Sequence, residues 1–413
     1  MKFTFVIPDM SWLYDYKAQF SLGILYLTAV LKEIGWDVTI YDTNIKNIED
    51  IPYADVFGFS MVYNTYGSGV ELAGLIKSKY PSSLLVAGGA HVTLSEKIDP
   101  VFSVSFKGEA ENTVKLFTRD FENKAVVSEY VSETPTNLDT AYPDRSILPD
   151  EYIRTSSVFT DSLSYASNGS TSIMFSRGCP YSCTFCASPK IYGRKVRFRS
   201  VESIVQEIND IIAAYGIRQF RVQDDTFTLN LSYVRELCSA LKNIGIFYRC
   251  STRVNHVNDE SIQLLYESGC REIGIGIEAA DNSVLNKLQK QITVEQAEDA
   301  IACIRKYPII LRCFFMVGTP FDSFSLLEKN VAFIEKHKIE NAMFANFIPF
   351  PGTDIYDNKE QYNIARVKDK TCMNIASHIE LTPNILRSDM SEEDQVAILK
   401  VYYDYMLSKK FIK

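Results

Sequence analysis

Three cysteines stand at a C-x3-C-x2-C spacing in the stretch Cys179-Pro-Tyr-Ser-Cys183-Thr-Phe-Cys186. They follow the apolar run Ser172–Phe175 and a Ser176-Arg177-Gly178 turn. The gaps are too short for a helix to separate the thiols, so one loop can direct all three sulfurs at a single point. Three thiolates from one loop suit an iron–sulfur cluster. On a cubane they leave one iron without a protein ligand, and an open position is where a metal does chemistry rather than hold a fold together. Zinc would need a fourth ligand, and the next Cys or His along the chain is Cys238. A disulfide framework fits poorly with an odd number of clustered thiols in a chain that carries no secretory signal.

Other residues with chemical potential fall at the ends of short apolar runs. Asp224 and Asp225 are adjacent carboxylates that repel unless a cation is near, although one of them could simply cap the following helix. Arg253 ends the run Tyr248–Thr252 and could grip a carboxylate with two parallel hydrogen bonds. Glu278 closes Gly274-Ile-Gly-Ile-Glu278, whose glycines suggest close approach by a ligand or a neighbouring backbone. Gly318 closes Phe315-Met-Val-Gly318. Earlier in the chain, Ser60 and Gly88-Gly89-Ala90-His91 occupy the same kind of position. The paired glycines admit either a bulky ligand or a tight strand-to-helix turn. A basic patch (Lys190, Arg194, Lys195, Arg197, Arg199) reads equally as a solvated loop or as an anion contact.

The elements that must position these residues form two α/β blocks. Strands over Lys2–Ile7, Asp37–Tyr41, Val56–Ser60 and Leu84–Ala87 alternate with helical spacing at Leu22–Ile34 and Gly69–Lys79. That alternation implies right-handed crossovers and a doubly wound parallel sheet, with ligands beyond the carboxyl ends of its strands. From about 120 to 168 the periodicity is lost and the chain reads as a connection. A βα rhythm then repeats six times, with strands near Ser172–Phe175, Gln219–Gln223, Tyr248–Thr252, Glu272–Ile277, Ile309–Val317 and Asn341–Phe347. This predicts a partial (β/α)6 barrel with its site at the carboxyl ends of the strands. Ser391 and Asp394 open a helix through about Leu407 in a helical C-terminal tail. The expected organisation is 1–125, a linker over 126–168, the barrel over 169–354 and the tail over 355–413. Cys238, Cys250, Cys270, Cys303 and Cys313 lie in helical or strand runs and read as small buried residues.

The composition, 46% hydrophobic and 23% charged over 413 residues, is that of an ordinary globular chain of more than one domain. The opening MKFTFVIPDM lacks the apolar core and cleavage site of a signal peptide, so reduced thiols and a cytoplasmic setting are expected. No apolar run is long enough for a membrane span. A net charge of −8 argues against nucleic acid as a partner.

The cysteine motif, with Phe185 before its last cysteine, resembles the signature of the radical S-adenosylmethionine (SAM) enzymes. The N-terminal block resembles the cobalamin-binding domain of one branch of that family, through Ser21-Leu-Gly-Ile-Leu-Tyr-Leu27, Ala54-Asp-Val-Phe-Gly-Phe-Ser60, Gly88-Gly-Ala-His91 and Lys107-Gly-Glu-Ala-Glu111. The resemblance implies a [4Fe-4S] cluster on Cys179, Cys183 and Cys186. It implies SAM contacts at Phe185, Asp224, Asp225, Arg253, Glu278 and Gly318, and cobalamin contacts at Ser60, Gly88, Gly89, His91 and Glu109. A flavodoxin or ferredoxin would then supply electrons, and cleavage of SAM would yield a 5′-deoxyadenosyl radical. The D-x-H-x-x-G motif that gives other cobalamin proteins a cobalt-ligating histidine is absent; Asp9-Met-Ser11 puts serine at that place. Three readings stay open. The first is a cobalamin-dependent radical SAM methyltransferase acting on an unactivated carbon. The second is a radical SAM enzyme of another outcome, such as cyclisation or rearrangement, whose first domain is only a scaffold. The third is a non-catalytic cobalamin or metal sensor. Nothing in the chain selects a small metabolite, a lipid precursor or a peptide as substrate.

Overall fold

A computed structural model describes residues 1–10, 17, 20–154, 169–368 and 381–411. The first block is a six-stranded, wholly parallel sheet in the order β2-β1-β3-β4-β5-β6. Its strands are β1 (Lys2–Ile7), β2 (Asp37–Asp42), β3 (Val56–Ser60), β4 (Leu84–Gly88), β5 (Val104–Lys107) and β6 (Glu129–Val131). The strands are almost continuously apolar because helices cover both faces. Phe3, Phe5, Val86 and Phe106 pack with Trp36 and Phe117 on one face. Val6, Phe57, Phe59 and Leu85 pack with Ala73 and Ile76 on the other. Strand order reverses between β1 and β3, which opens a crevice above their carboxyl ends.

Two of these strands escaped the sequence reading. β5 mixes Ser and Lys with its apolar residues, and β6 has only three residues, too few to show a period. Placing β6 in the sheet extends it into the stretch expected to be connection. β6 is also the edge strand, which explains its Glu129 and its exposed Val131.

The second block is again six parallel strands, now in chain order: β7 (Ser170–Ile173), β10 (Gln219–Val222), β11 (Phe247–Arg253), β12 (Cys270–Glu278), β13 (Ile310–Val317) and β14 (Ala342–Asn346). β7 and β14 are not paired with each other, so the barrel is half open. Phe220, Val222, Tyr248, Cys250, Ile273, Ile275, Cys313 and Phe315 face the outer helices and form the core. The residues between them face the concave side, as the two-residue period of a strand requires. Those helices start where a side chain caps them: Ser200, Asn230, Asn258, Thr293 and Ser323 each accept a backbone N–H. β7 ends at Ile173 rather than Phe175 because the Phe175 amide leaves the ladder to donate to Asp224 at 2.8 Å.

Between β7 and β10, a short antiparallel pair, β8 (Ser176–Arg177) and β9 (Arg197–Phe198), frames the cysteine loop. The tail holds an antiparallel pair, β15 (Ile364–Val367) and β16 (Ile385–Arg387), and the helix Glu392–Ser408, which Ser391 caps through the Asp394 amide. Tyr402 of that helix accepts from the Asn330 amide at 2.8 Å and fixes the tail to the barrel wall. Cys238, Cys250, Cys270, Cys303 and Cys313 are buried. No helix among the described residues is long and apolar enough to cross a membrane.

Gly89 shows how tightly the crevice is built. Its φ is +93°, and a Cβ there would lie 2.6 Å from the backbone N and O of Met61. Backbone strain and overlap together should make Gly89→Ala lose on the order of 1–3 kcal/mol. A lowered urea midpoint checks this; an unchanged midpoint would show that β3 and β4 can part at no cost.

Candidate functional site

The cysteine loop is anchored on three sides. Gly178, at φ +100°, turns the chain out of β8 where a Cβ would meet the Lys195 carbonyl oxygen at 2.8 Å. The Thr184 amide donates to the Leu288 carbonyl at 3.0 Å, and the Ile355 amide donates to the Thr184 carbonyl at 3.1 Å. Cys179 and Cys183 are buried and Cys186 half-buried. Burial pushes the Cys186 thiol up to about 12, and neighbouring Cys183, Asp225 and Cys179 add to the shift. Thiolates in this pocket therefore need a positive partner. Among the described residues no three His, Cys, Asp or Glu side chains converge tightly enough to hold one metal ion. A cluster does not require such convergence, because its cysteines each bond a different iron. Arg253 Nη1 donates to Cys183 Sγ at 3.2 Å, the kind of contact that tunes a cluster's ligand sulfur.

The residues expected to hold SAM fall into two groups. Arg253, Glu278 and Phe185 lie together beside the loop. The Arg253 guanidinium sits 3.7 Å from the centre of the Tyr181 ring and donates to the Lys290 carbonyl. Lys290 Nζ pairs with Glu278 at 2.5 Å and lies 5.9 Å from the Phe185 ring. Lys290 was missed because a lysine twelve residues beyond a strand carries no local signal. Glu278 has φ +68°, a bend that turns its carboxylate back over Gly276.

Asp224 is buried behind this group. It accepts from the Phe175 amide and, at 2.6 Å, from Ser176 Oγ, so it holds β8 in place; burial lifts its carboxyl to about 6. Asp225 instead accepts from Ser188 Oγ at 2.5 Å, just past the third cysteine. Neither caps the next helix, whose cap is Asn230. Gly318 stands at the end of β13 with φ +71°, and a Cβ there would fall 2.5 Å from Asn346 Oδ1. That buried oxygen has no hydrogen-bond partner, which leaves an acceptor beside the rim for a ligand donor.

The residues expected to meet cobalamin divide in the same way. A cavity of about 410 Å³ lies between the blocks, within the usual range of ligand pockets. Pro8, Ser60, Gly89 and Gly108 wall it from the first sheet; Met174, Ile191, Tyr192 and Gln223 wall it from the barrel. Gly88 and His91 are not part of its wall. His91 stacks on Tyr66 at 4.1 Å, and burial lowers its imidazole to about 4. No histidine is present among the described lining residues, so the cavity suits a corrin held without a protein imidazole.

Glu109 reaches the cavity wall, but both of its oxygens are engaged. One lies 2.5 Å from Arg177 and the other 2.6 Å from Arg197, and Arg177 also pairs with Glu111 at 2.7 Å. Burial works against the charge on Arg177, yet Glu111 and Glu109 outweigh it and hold the guanidinium above its usual range. Two members of the basic patch, Arg197 and Arg199, are thus buried in ion pairs rather than solvated: Arg199 pairs with Glu207.

The Radical SAM superfamily profile matches residues 173–334, which contain the cysteine loop and most of the barrel. The B12 binding domain profile matches residues 18–117. Radical SAM and B12-binding domains are both present in this chain. Its two domains imply a [4Fe-4S] cluster, SAM and cobalamin as cofactors. An uncharacterized methyltransferase of Pyrococcus horikoshii is 27% identical, covering 95% of this chain and 88% of its own. The cytidylyl-2-hydroxyethylphosphonate methyltransferase of Streptomyces wedmorensis is 24% identical over 82% and 77%. An anaerobic magnesium-protoporphyrin IX monomethyl ester cyclase of Cereibacter sphaeroides is also 24% identical, over 81% and 59%. The solved radical SAM methyltransferase TsrM of Kitasatospora setae shares the fold, with a TM-score of 0.68 at 16% identity over 91% of this chain and 79% of that one.

Two outcomes follow for the junction between the radical SAM and B12-binding domains. Glu109→Gln leaves two buried guanidiniums short of a counter-charge and should destabilise the protein by roughly 3–5 kcal/mol, read as a fall in the urea midpoint. His91, neutral when folded, adds stability that is full above pH 6.5 and is lost as pH falls toward 4. His91→Gln should flatten that acid limb in a pH series of thermal midpoints; an unaltered limb would place the titration elsewhere.

Proposed function

We propose that this chain is a cobalamin-dependent radical SAM methyltransferase acting at an unactivated carbon. The observation that carries the reading is one shared cavity. Met174, Ile191 and Tyr192, which flank the cysteine loop, face the carboxyl ends of the first sheet across it. In this reading the first block, extended to β6, carries the corrin; the barrel carries cluster and SAM; and the tail closes the barrel. Cys179, Cys183 and Cys186 hold the cluster, and Arg253 donates to its ligand sulfur. Glu278, Lys290, Phe185 and Gly318 surround SAM, Asp225 lies at the mouth, and Asp224 supports the loop from behind. Ser60 and Gly89 contact the corrin, and Glu109 fixes the distance between the two domains. When bound, these cofactors supply a 5′-deoxyadenosyl radical that removes a hydrogen atom and a methyl group that replaces it. The protein's share is binding, orientation and exclusion of water. No side chain need act as acid or base in hydrogen abstraction, which fits a chain with four histidines. A flavodoxin or ferredoxin serves as the electron donor.

The second reading, a radical SAM enzyme that performs another radical reaction without cobalamin, draws support from the cyclase relative. Product analysis separates the two. Anaerobically reconstituted protein should carry about four irons per chain, as one cubane requires, and the Cys179, Cys183, Cys186 triple alanine variant none. With hydroxocobalamin, reductant and substrate, turnover should yield both 5′-deoxyadenosine and S-adenosylhomocysteine. 5′-Deoxyadenosine alone, with corrin lost on desalting, would establish the second reading. Iron retained by the triple variant would overturn both.

A further inference from the structure

Deep on the concave side of the half-barrel, below the SAM rim, three arginines meet one glutamate. Arg221 of β10, Arg249 of β11 and Arg312 of β13 alternate with core residues that face the helices, so all three project inward. Glu272 of β12 lies among them. It is 3.4 Å from Arg249 Nη1 and 3.2 Å from Arg312 Nη1, both to the same Oε1. Among the described residues, three guanidiniums facing one carboxylate leave two positive charges in excess. The excess is poorly satisfied: Arg221 Nη1 and Arg312 Nε are buried without hydrogen-bond partners. Arg249 and Arg312 side chains keep 17% and 15% of their surface open, so the cluster is not sealed from a small anion. Burial, reinforced by the neighbouring arginine, lowers Arg249 to about 9 and Arg221 to about 10. A cluster serving the fold alone would be expected to carry matching carboxylates, as Glu109, Glu111, Glu207 and Asp139 do for Arg177, Arg197, Arg199 and Arg145.

We propose that Arg221, Arg249 and Arg312 form a binding site for a doubly charged oxyanion, a phosphate- or phosphonate-type group on the substrate. Guanidiniums recognise such oxygens with paired hydrogen bonds, and two excess charges match a dianion. The site deepens the proposed function and rests on it for the word substrate. Arg249 lies four residues below Arg253 on β11, so the oxyanion would be held on the order of 13 Å from the SAM rim. Above Arg249 on β11 stands Ser251, in register with Gly274 and Arg312; the Phe314 ring fills the space that a side chain at Gly274 would need. A substrate that reaches from one level to the other is elongated, with its anionic end down, its reacting carbon up and its middle passing the Phe314 ring.

The test needs no turnover. Reconstituted holoenzyme is titrated by calorimetry with inorganic phosphate and, separately, with acetate, in low-chloride buffer. Phosphate should bind at least tenfold more tightly than acetate. Arg221→Gln and Arg249→Gln should each weaken phosphate binding about tenfold or more. Glu272→Gln, which removes the opposing charge, should tighten it. Iron content and corrin absorption establish that each variant is loaded. Equal affinity for acetate, or phosphate binding unmoved by both arginine variants, would overturn the assignment. Either failure leaves the methyl-transfer reading standing, because that reading is judged on SAM products.

Discussion

A single carboxylate, Glu109, holds the functional geometry together. It stands just beyond β5 of the B12-binding domain and pairs with Arg177 and Arg197, residues of β8 and β9, the two strands that frame the cysteine loop. Burial of three charges is costly, and their mutual pairing, joined by Glu111 beside Arg177, offsets that cost. The consequence is a fixed spacing between the sheet that walls the cavity from one side and the loop that walls it from the other. Chemistry that needs two cofactors near one carbon depends on such a spacing, since misplacement by an ångström carries a large penalty in rate.

Much of this was legible from the chain. Parallel strands covered on both faces show as short apolar runs between helical periods, so β1 to β4 and the six barrel strands could be read nearly to their ends. β5 and β6 could not, because a polar short strand and a three-residue edge strand carry too little pattern. The cysteines were plain because their spacing is itself the signal. Partners of charged residues were not: Glu278 finds Lys290, Glu109 finds Arg177 and Arg197, and Asp224 supports β8. Each is a long-range pairing that only the fold creates.

The same limit explains the arginine cluster. Arg221, Arg249 and Arg312 are dispersed over ninety residues of sequence and read as ordinary interruptions of apolar strands. Parallel register brings Arg221, Arg249 and Glu272 to one level of the barrel and Arg312 to the next level up, two residues along β13, where the excess charge becomes visible. The cavity and this deeper level lie on the same concave side as the cluster loop. In the proposed reading the barrel offers a rim for SAM, a facing wall for the corrin and a floor for an anion.

The central claim is that the corrin sits in the cavity between the two domains, facing the cluster loop. Crystals of protein loaded with cluster and cobalamin, measured across the cobalt and iron absorption edges, locate both metals directly. The account predicts one cobalt peak between Ser60 and Tyr192, with iron at Cys179, Cys183 and Cys186. Cobalt on another surface, or none in a crystal that holds the cluster, would contradict it.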